Sequence, residues 1–213
     1  MTRLPLPDPL PLLAPLRELD ESRVTIQEFS HHRLRLTIDH EPLRGVTPEM
    51  LLWWFRNIGG TMTYAGATHP RYRVWHPLDH IHWELERSAP DGAVGEGARF
   101  RIVEMMGRDE RFPIDTVDRV EKLDLTGIRL VLRIAGAQFF QLEHTWSRAE
   151  GATHYTSVMD VGGRSALGRP IDAFLRRRVF VPGMERAWLR HNVEEVGYLE
   201  HFLPDLYRAA GGD

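Results

Sequence analysis

A histidine and a glutamate four residues apart, in the run RHNVEEVGYLEHFLP at 190–204, are spaced to hold an ion. On a helix, positions i and i+4 stack on one side, so His191 and Glu195 would offer a nitrogen and a carboxylate oxygen to one divalent metal. The surrounding pattern supplies the helix: Met184, Trp188, Leu199 and Phe202 recur at helical spacing and define an apolar stripe. His191 and Glu195 fall inside that stripe. The spacing alone is common in helices, and it gains meaning only because both residues are aimed at a core.

Counting strands at period two adds two more residues. In RFRIVEMMG one face carries Phe100, Ile102, Glu104 and Met106, with Arg99 and Arg101 opposite. In FFQLEHTW, Phe140, Leu142, His144 and Trp146 share a face. A lone histidine on an apolar face is more often a hydrogen-bonded core residue than a ligand. A carboxylate is different, because burying it unpartnered costs several kcal/mol or neutralises it. Two inward glutamates, Glu104 and Glu195, require a common positive partner, and the arginines stand mostly on outward or loop positions. A metal ion is the economical answer. A further ligand would come from WHPLDHIHW, where His76, His80 and His82 compete. Pro77 interrupts the strand count there, and parity alone would put Ile81, Trp83 and Leu85 on the buried side.

These residues need elements to position them. SRVTIQEFSHHRLRLTIDH is β-branched and alternating, and predicts one or two strands. GVTPEMLLWWFRNIGG is a punctuated helix, with Thr47 as N-cap, Pro48 at the first position and Gly59 and Gly60 as the stop. The segments around 71–88, 98–107, 115–124, 128–149 and 153–162 are β-prone runs divided by turn residues. From Pro170 the chain turns helical, with a break at Val181, Pro182 and Gly183. Strands followed by a long terminal helix predict an α+β fold, a curved antiparallel sheet gripping a helix around a cavity.

The 213 residues are 42% hydrophobic, enough for a packed core. With 27 basic and 30 acidic residues the net charge is -3, which invites neither nucleic acid nor an anionic membrane. Arg176, Arg177 and Arg178 are read as a solvated helix face. The chain has no cysteine, so it has no disulfide, thiolate metal site or cysteine nucleophile; that fits a cytoplasmic protein. Residues 1–20 are apolar, but prolines at 5, 7, 9, 11 and 15 predict an extended arm over the body or a second subunit. Residues 21–213 are read as a single domain.

Taken together, TPEMLLWWFRNI, YRVWHPLDH, the glutamate before MMG, and HNVEEVGYLEHFLP resemble the 2,4-diacetylphloroglucinol hydrolase family, which includes phloretin hydrolase. The resemblance spans about Val46 to Pro204. It implies a Bet v 1-like helix-grip domain holding zinc through two histidines and two glutamates. It also implies hydrolysis of the carbon-carbon bond between an acyl group and a polyphenol ring. Carried over by residue, it selects His80, Glu104, His191 and Glu195 as ligands, with Glu110 a poorer substitute for Glu104. It implies that Tyr72 contacts the substrate phenol and that His144 is the active-site histidine moving protons. Members are often homodimers. Zn2+ is favoured, though mixed nitrogen and oxygen ligands also suit Mn2+ or Fe2+. This chain departs from the family in a shorter N-terminal region and in pocket positions, with Trp83 after His80 and a thioether at Met159. Trp53, Trp54, Trp75 and Trp83 are candidates for an aromatic cavity wall or for core packing. Two other readings stay open: a non-catalytic carrier of aromatic polyketide-like ligands, and an iron oxygenase using two histidines and one carboxylate.

Overall fold

The computed structural model describes residues 4–30, 33–134, 136–163 and 180–212. Residues 4–18 form neither helix nor strand and end in a 3-10 turn at Leu19–Glu21. Repeated prolines remove the amide donors that regular structure needs. This arm lies on its own chain's body. The buried Leu10 donates its amide to the Pro77 carbonyl at 2.9 Å, and the Leu13 amide donates to the Tyr198 hydroxyl at 3.1 Å. Arg73 and Arg108 donate to the carbonyls of Asp8 and Pro7.

The strands are β1 (Arg23–Phe29), β2 (Arg33–Asp39), β3 (Leu43–Arg44), β4 (Thr61–Tyr64), β5 (Ala67–Pro70), β6 (His80–Arg87), β7 (Arg99–Met105), β8 (Pro113–Asp124), β9 (Gly127–Ile134), β10 (Ala137–Ala149) and β11 (Ala152–Val161). The helices described are α1 (Pro48–Asn57), α2 (Arg71–Trp75), α3 (Met184–Tyr198) and α4 (Leu203–Ala209). One antiparallel sheet runs in the order β1-β2-β11-β10-β9-β8-β7-β6, with β3 also on β11. Helix α3 touches both β2 and the turn Met106–Arg108 that follows β7. Those lie near opposite ends of the strand order, so the sheet must curve around the helix. The architecture is the expected α+β helix-grip layout.

Local chemistry explains most boundaries. Thr47 caps α1 by accepting the Met50 amide, and Leu51, Trp54 and Phe55 form its buried face. The unanticipated β4–β5 hairpin turns through Ala65 and Gly66, both at positive φ, as a two-residue hairpin turn requires. Residues 71–75, expected to be β-prone, instead make the short helix α2. Burial of Tyr72, Val74 and Trp75 overrides their strand preference. Gly183 adopts φ 92 at the break before α3. The segment from Pro170, including Arg176, Arg177 and Arg178, falls outside the described residues up to position 179.

Two apolar clusters share the interior. One is filled by interlocked rings: Phe55 stacks on Trp146 at 5.6 Å, and Trp54 meets Trp75 edge-on at 5.8 Å. The other, around Leu36, Met159, Phe180, Met184 and Trp188, surrounds a cavity of about 600 Å³.

Candidate metal centre

The pairing of β6 with β7 sets His80 opposite Glu104. Between His80 and His82 the register slips, and such a bulge re-aims a side chain without moving the whole strand to the other face. His80 therefore turns inward, while Trp83 and Leu85 still pack against the core and His82 is only half-buried. Simple parity could not accommodate both. Helix α3 delivers His191 and Glu195 from above, one turn apart. Its hydrophilic residues from His191 to Glu195 are all buried, so the amphipathic pattern ends in a helix enclosed on every side.

The four side chains converge. His80 Nε2 lies 3.4 Å from Glu104 Oε1 and 3.4 Å from Glu195 Oε2. His191 Nε2 lies 3.7 Å from Glu104 Oε2 and 3.9 Å from Glu195 Oε2. Donors at about 2.0–2.2 Å from a tetrahedral zinc stand roughly 3.3–3.6 Å apart, so the set is close to the span such an ion needs. His80 Nε2 is buried without a hydrogen-bond partner, an orphaned acceptor aimed into the cluster.

The other ring nitrogens are already committed. His80 Nδ1 donates to the Tyr72 carbonyl at 2.7 Å, and His191 Nδ1 bonds Asp79 Oδ2 at 3.0 Å. Outer partners of this kind fix tautomer and ring orientation, leaving each Nε2 turned toward the carboxylates. Asp79 in turn accepts the Gly107 amide at 2.7 Å. The Tyr72 hydroxyl donates to Glu104, and Asn192 donates to Glu195. Tyr72 also stacks flat on His80, with ring centres 3.9 Å apart. His76 accepts the Asp79 amide at Nδ1 and pairs its Nε2 with Glu194 at 3.1 Å, which makes it a support one layer out. His76, Asp79 and His191 also lie within ligand reach of one another, but the Asp79–His191 hydrogen bond already uses those atoms.

Electrostatics follow from this crowding. Burial would lower His191, yet Glu104, Asp79 and Glu195 outweigh it and raise it to about 10. Burial lowers His80 to about 3, against the pull of Glu104. Burial lifts Glu195 to about 7, while His191 and His76 oppose the rise. Burial would also raise Asp79, but His191 and His76 hold it below the ordinary carboxylate range. A shared cation is the simplest way for these groups to coexist as two neutral imidazoles and two carboxylates.

His144 stands apart from the four. It is buried, bonds Ser157 Oγ through Nδ1 at 2.8 Å and faces Phe55 and Tyr155. His40 bonds the same hydroxyl at 2.8 Å. Burial lowers both histidines to about 3, so each is neutral near pH 7. His144 shares its sheet face with Leu142, which lines the cavity.

The cavity meets this polar cluster at Glu104, the one member of the four that lines it. Its aromatic wall is Phe139, Phe140, Phe180 and Trp188. The four tryptophans proposed from sequence lie elsewhere: Trp54 and Trp75 are core residues, and Trp53 and Trp83 pack beside that core. Helices α1 and α2 cover the filled half of the sheet, which is why their rings do not reach the hollow half. Met159 does line the cavity, and so does the exposed Glu110 at its edge. Asp79, Asn192, His40 and Ser157 were not singled out in the sequence; Asn192 falls on the helical positions flanking the His191–Glu195 pair and was open to the same count.

No helix among the described residues is long and apolar enough to cross a membrane. No protein-family model matches this chain, and no curated protein does. Solved structures share its chain path loosely. A START superfamily protein from Mycobacterium smegmatis is 12% identical with a TM-score of 0.48, covering 82% of this chain and 98% of that one. Ara h 8.0201 is 11% identical with a TM-score of 0.45, covering 78% and 98%. CalU16 from Micromonospora echinospora is 9% identical with a TM-score of 0.39, covering 84% and 97%. These likenesses concern topology alone.

Proposed function

We propose that this chain is a metal-dependent hydrolase, with zinc as the favoured ion, that cleaves the bond between an acyl group and a polyphenol ring in acylphloroglucinol-like substrates. The observation that carries the metal is the convergence of donor atoms of His80, His191 and Glu195, with Glu104 against both imidazoles and each imidazole anchored through its opposite nitrogen. The acyl phenol rests on the sequence motifs and on the aromatic cavity that opens onto Glu104.

His80, Glu104, His191 and Glu195 would hold the ion, which supplies Lewis acidity and a more acidic water. In the overall reaction water oxygen bonds to the acyl carbon and the acyl–aryl bond breaks. The electron pair stays with the ring carbon, which takes a proton, giving a carboxylic acid and the deacylated phenol. Tyr72 keeps Glu104 oriented and, when a phenol enters, is the hydroxyl nearest the ligand set. His144, to which the resemblance gives the proton-moving role, sits against Phe55 and Tyr155 and does not line the cavity, while the apolar walls of the cavity exclude bulk water.

The cavity also favours a second reading, a carrier of aromatic polyketide-like ligands in which the polar cluster only stabilises the fold. Elemental analysis of the purified protein and of His191→Ala separates the two. Near-stoichiometric zinc that is lost in the variant supports the hydrolase, to be followed by turnover assays on 2,4-diacetylphloroglucinol. Absence of metal after zinc addition would sink it.

A further inference from the structure

The cavity wall carries a polar group outside the cluster of His80, Glu104, His191 and Glu195. On β8, Ile114, Thr116, Asp118 and Val120 alternate onto the inner face. Ile114, Thr116 and Asp118 line the cavity, and Asp118 is only 1% exposed. Its one described hydrogen bond comes from the Thr116 hydroxyl to Oδ1 at 3.2 Å. Among the described residues no basic side chain pairs with it. Its neighbours on the wall are Leu130, Leu132, Phe139 and Ile102, none of which can hydrogen-bond through its side chain. A buried carboxyl group kept in such surroundings either wastes free energy or waits for a partner that arrives with a ligand.

The charge around the cavity narrows that ligand. Its lining includes four acids, Glu104, Glu110, Asp115 and Asp118, and no lysine, arginine or histidine among the described residues. Asp115 is neutralised by a two-pronged bond to Arg101 on the outer side. No basic side chain of the lining awaits a carboxylate, so an anionic ligand such as a fatty acid finds no partner on this wall.

We propose that Asp118, supported by Thr116, is a specificity-determining anchor that receives a hydroxyl or carbonyl of a neutral ligand lying between it and Glu104. This rests on the cavity being the ligand site, as in the function proposed above, but it does not need the metal. Burial raises the Asp118 carboxyl to about 7, with Thr116 opposing the shift, so near neutrality it can donate as well as accept. An apolar cavity with one polar wall group selects by hydrogen bonding, since the analogue that lacks the partner leaves that group unpaired.

The test is calorimetric titration of chelator-treated protein with 2,4,6-trihydroxyacetophenone and with acetophenone. The wild type should bind the hydroxylated ketone at least about tenfold more tightly, the scale of one buried hydrogen bond. Asp118→Ala should bring the two affinities within about twofold, and Asp118→Asn should keep part of the preference. Thr116→Val gives a second reading, a smaller loss of preference, should the alanine variant fail to fold. An unchanged ratio in both Asp118→Ala and Thr116→Val would overturn the anchor. So would a wild type that binds neither ketone, whereas zinc content, measured separately, judges the metal centre.

Discussion

The two halves of the sheet's concave face bury similar kinds of residue and use them in opposite ways. Toward α1 and α2 the rings of Trp54, Phe55, Trp75 and Trp146 close on one another. Toward β8 and β9 the side chains stop short and leave about 600 Å³ open. The charged cluster stands on the boundary, with Tyr72 and Trp75 against one side of His80 and Glu104 facing the other. The contrast teaches a division of labour: the filled half supplies rigidity to the side chains that the hollow half exposes to a ligand.

The largest effect should separate the halves directly. Trp54→Ala, at a fully buried position, should cost about 3–5 kcal/mol in urea unfolding, while Phe140→Ala on the cavity wall should cost less than about 2 kcal/mol because one of its sides is already open. Equal losses would erase the distinction. Next comes the boundary. Asp79→Asn removes the carboxylate that orients His191 and should weaken zinc binding roughly 10–100-fold by competition with a chelator. An unchanged zinc affinity would remove Asp79 from its supporting role.

The last effect is a slope. Asp118 has a folded pKa near 7, above its ordinary value of 3.8, so its favourable contribution is fully present below pH 3.8 and is lost as pH rises through 7. Relative to Asp118→Asn, wild-type stability should fall with pH over that window by at most about 1.4 kcal/mol per pH unit. Parallel curves for the two proteins would mean that the carboxyl is not held neutral.

The fold class was legible because the strand runs alternate and the last helix carries a heptad-like apolar stripe. So was the inward aim of Glu104, His191 and Glu195, since each interrupts an apolar face that nothing else explains. His80 was not legible from periodicity, because the bulge that turns it inward depends on how β6 pairs with β7. The short helix α2 was hidden for a related reason: the β preference of Tyr72, Val74 and Trp75 yields to burial, which a local window does not contain. The hollow could not be seen at all. Whether Phe140 meets a partner or a void depends on side chains brought from strands far apart in sequence. Asp118 was missed for no deep reason, since the same period-two count on β8 marks it.

The arm has a consequence for timing. Leu10 and Pro7 are tied to Pro77 and Arg108, and Arg108 also holds the Leu78 carbonyl, so residues 7–10 fasten the loop that carries Asp79 and leads into His80. The arm has no helix or strand of its own, and it can lift by local opening while the sheet stays intact. Exchange of an ion between the cluster and solvent would then be governed by how often this strap peels away. Shortening it should change how fast the ion comes and goes more than how tightly it is held.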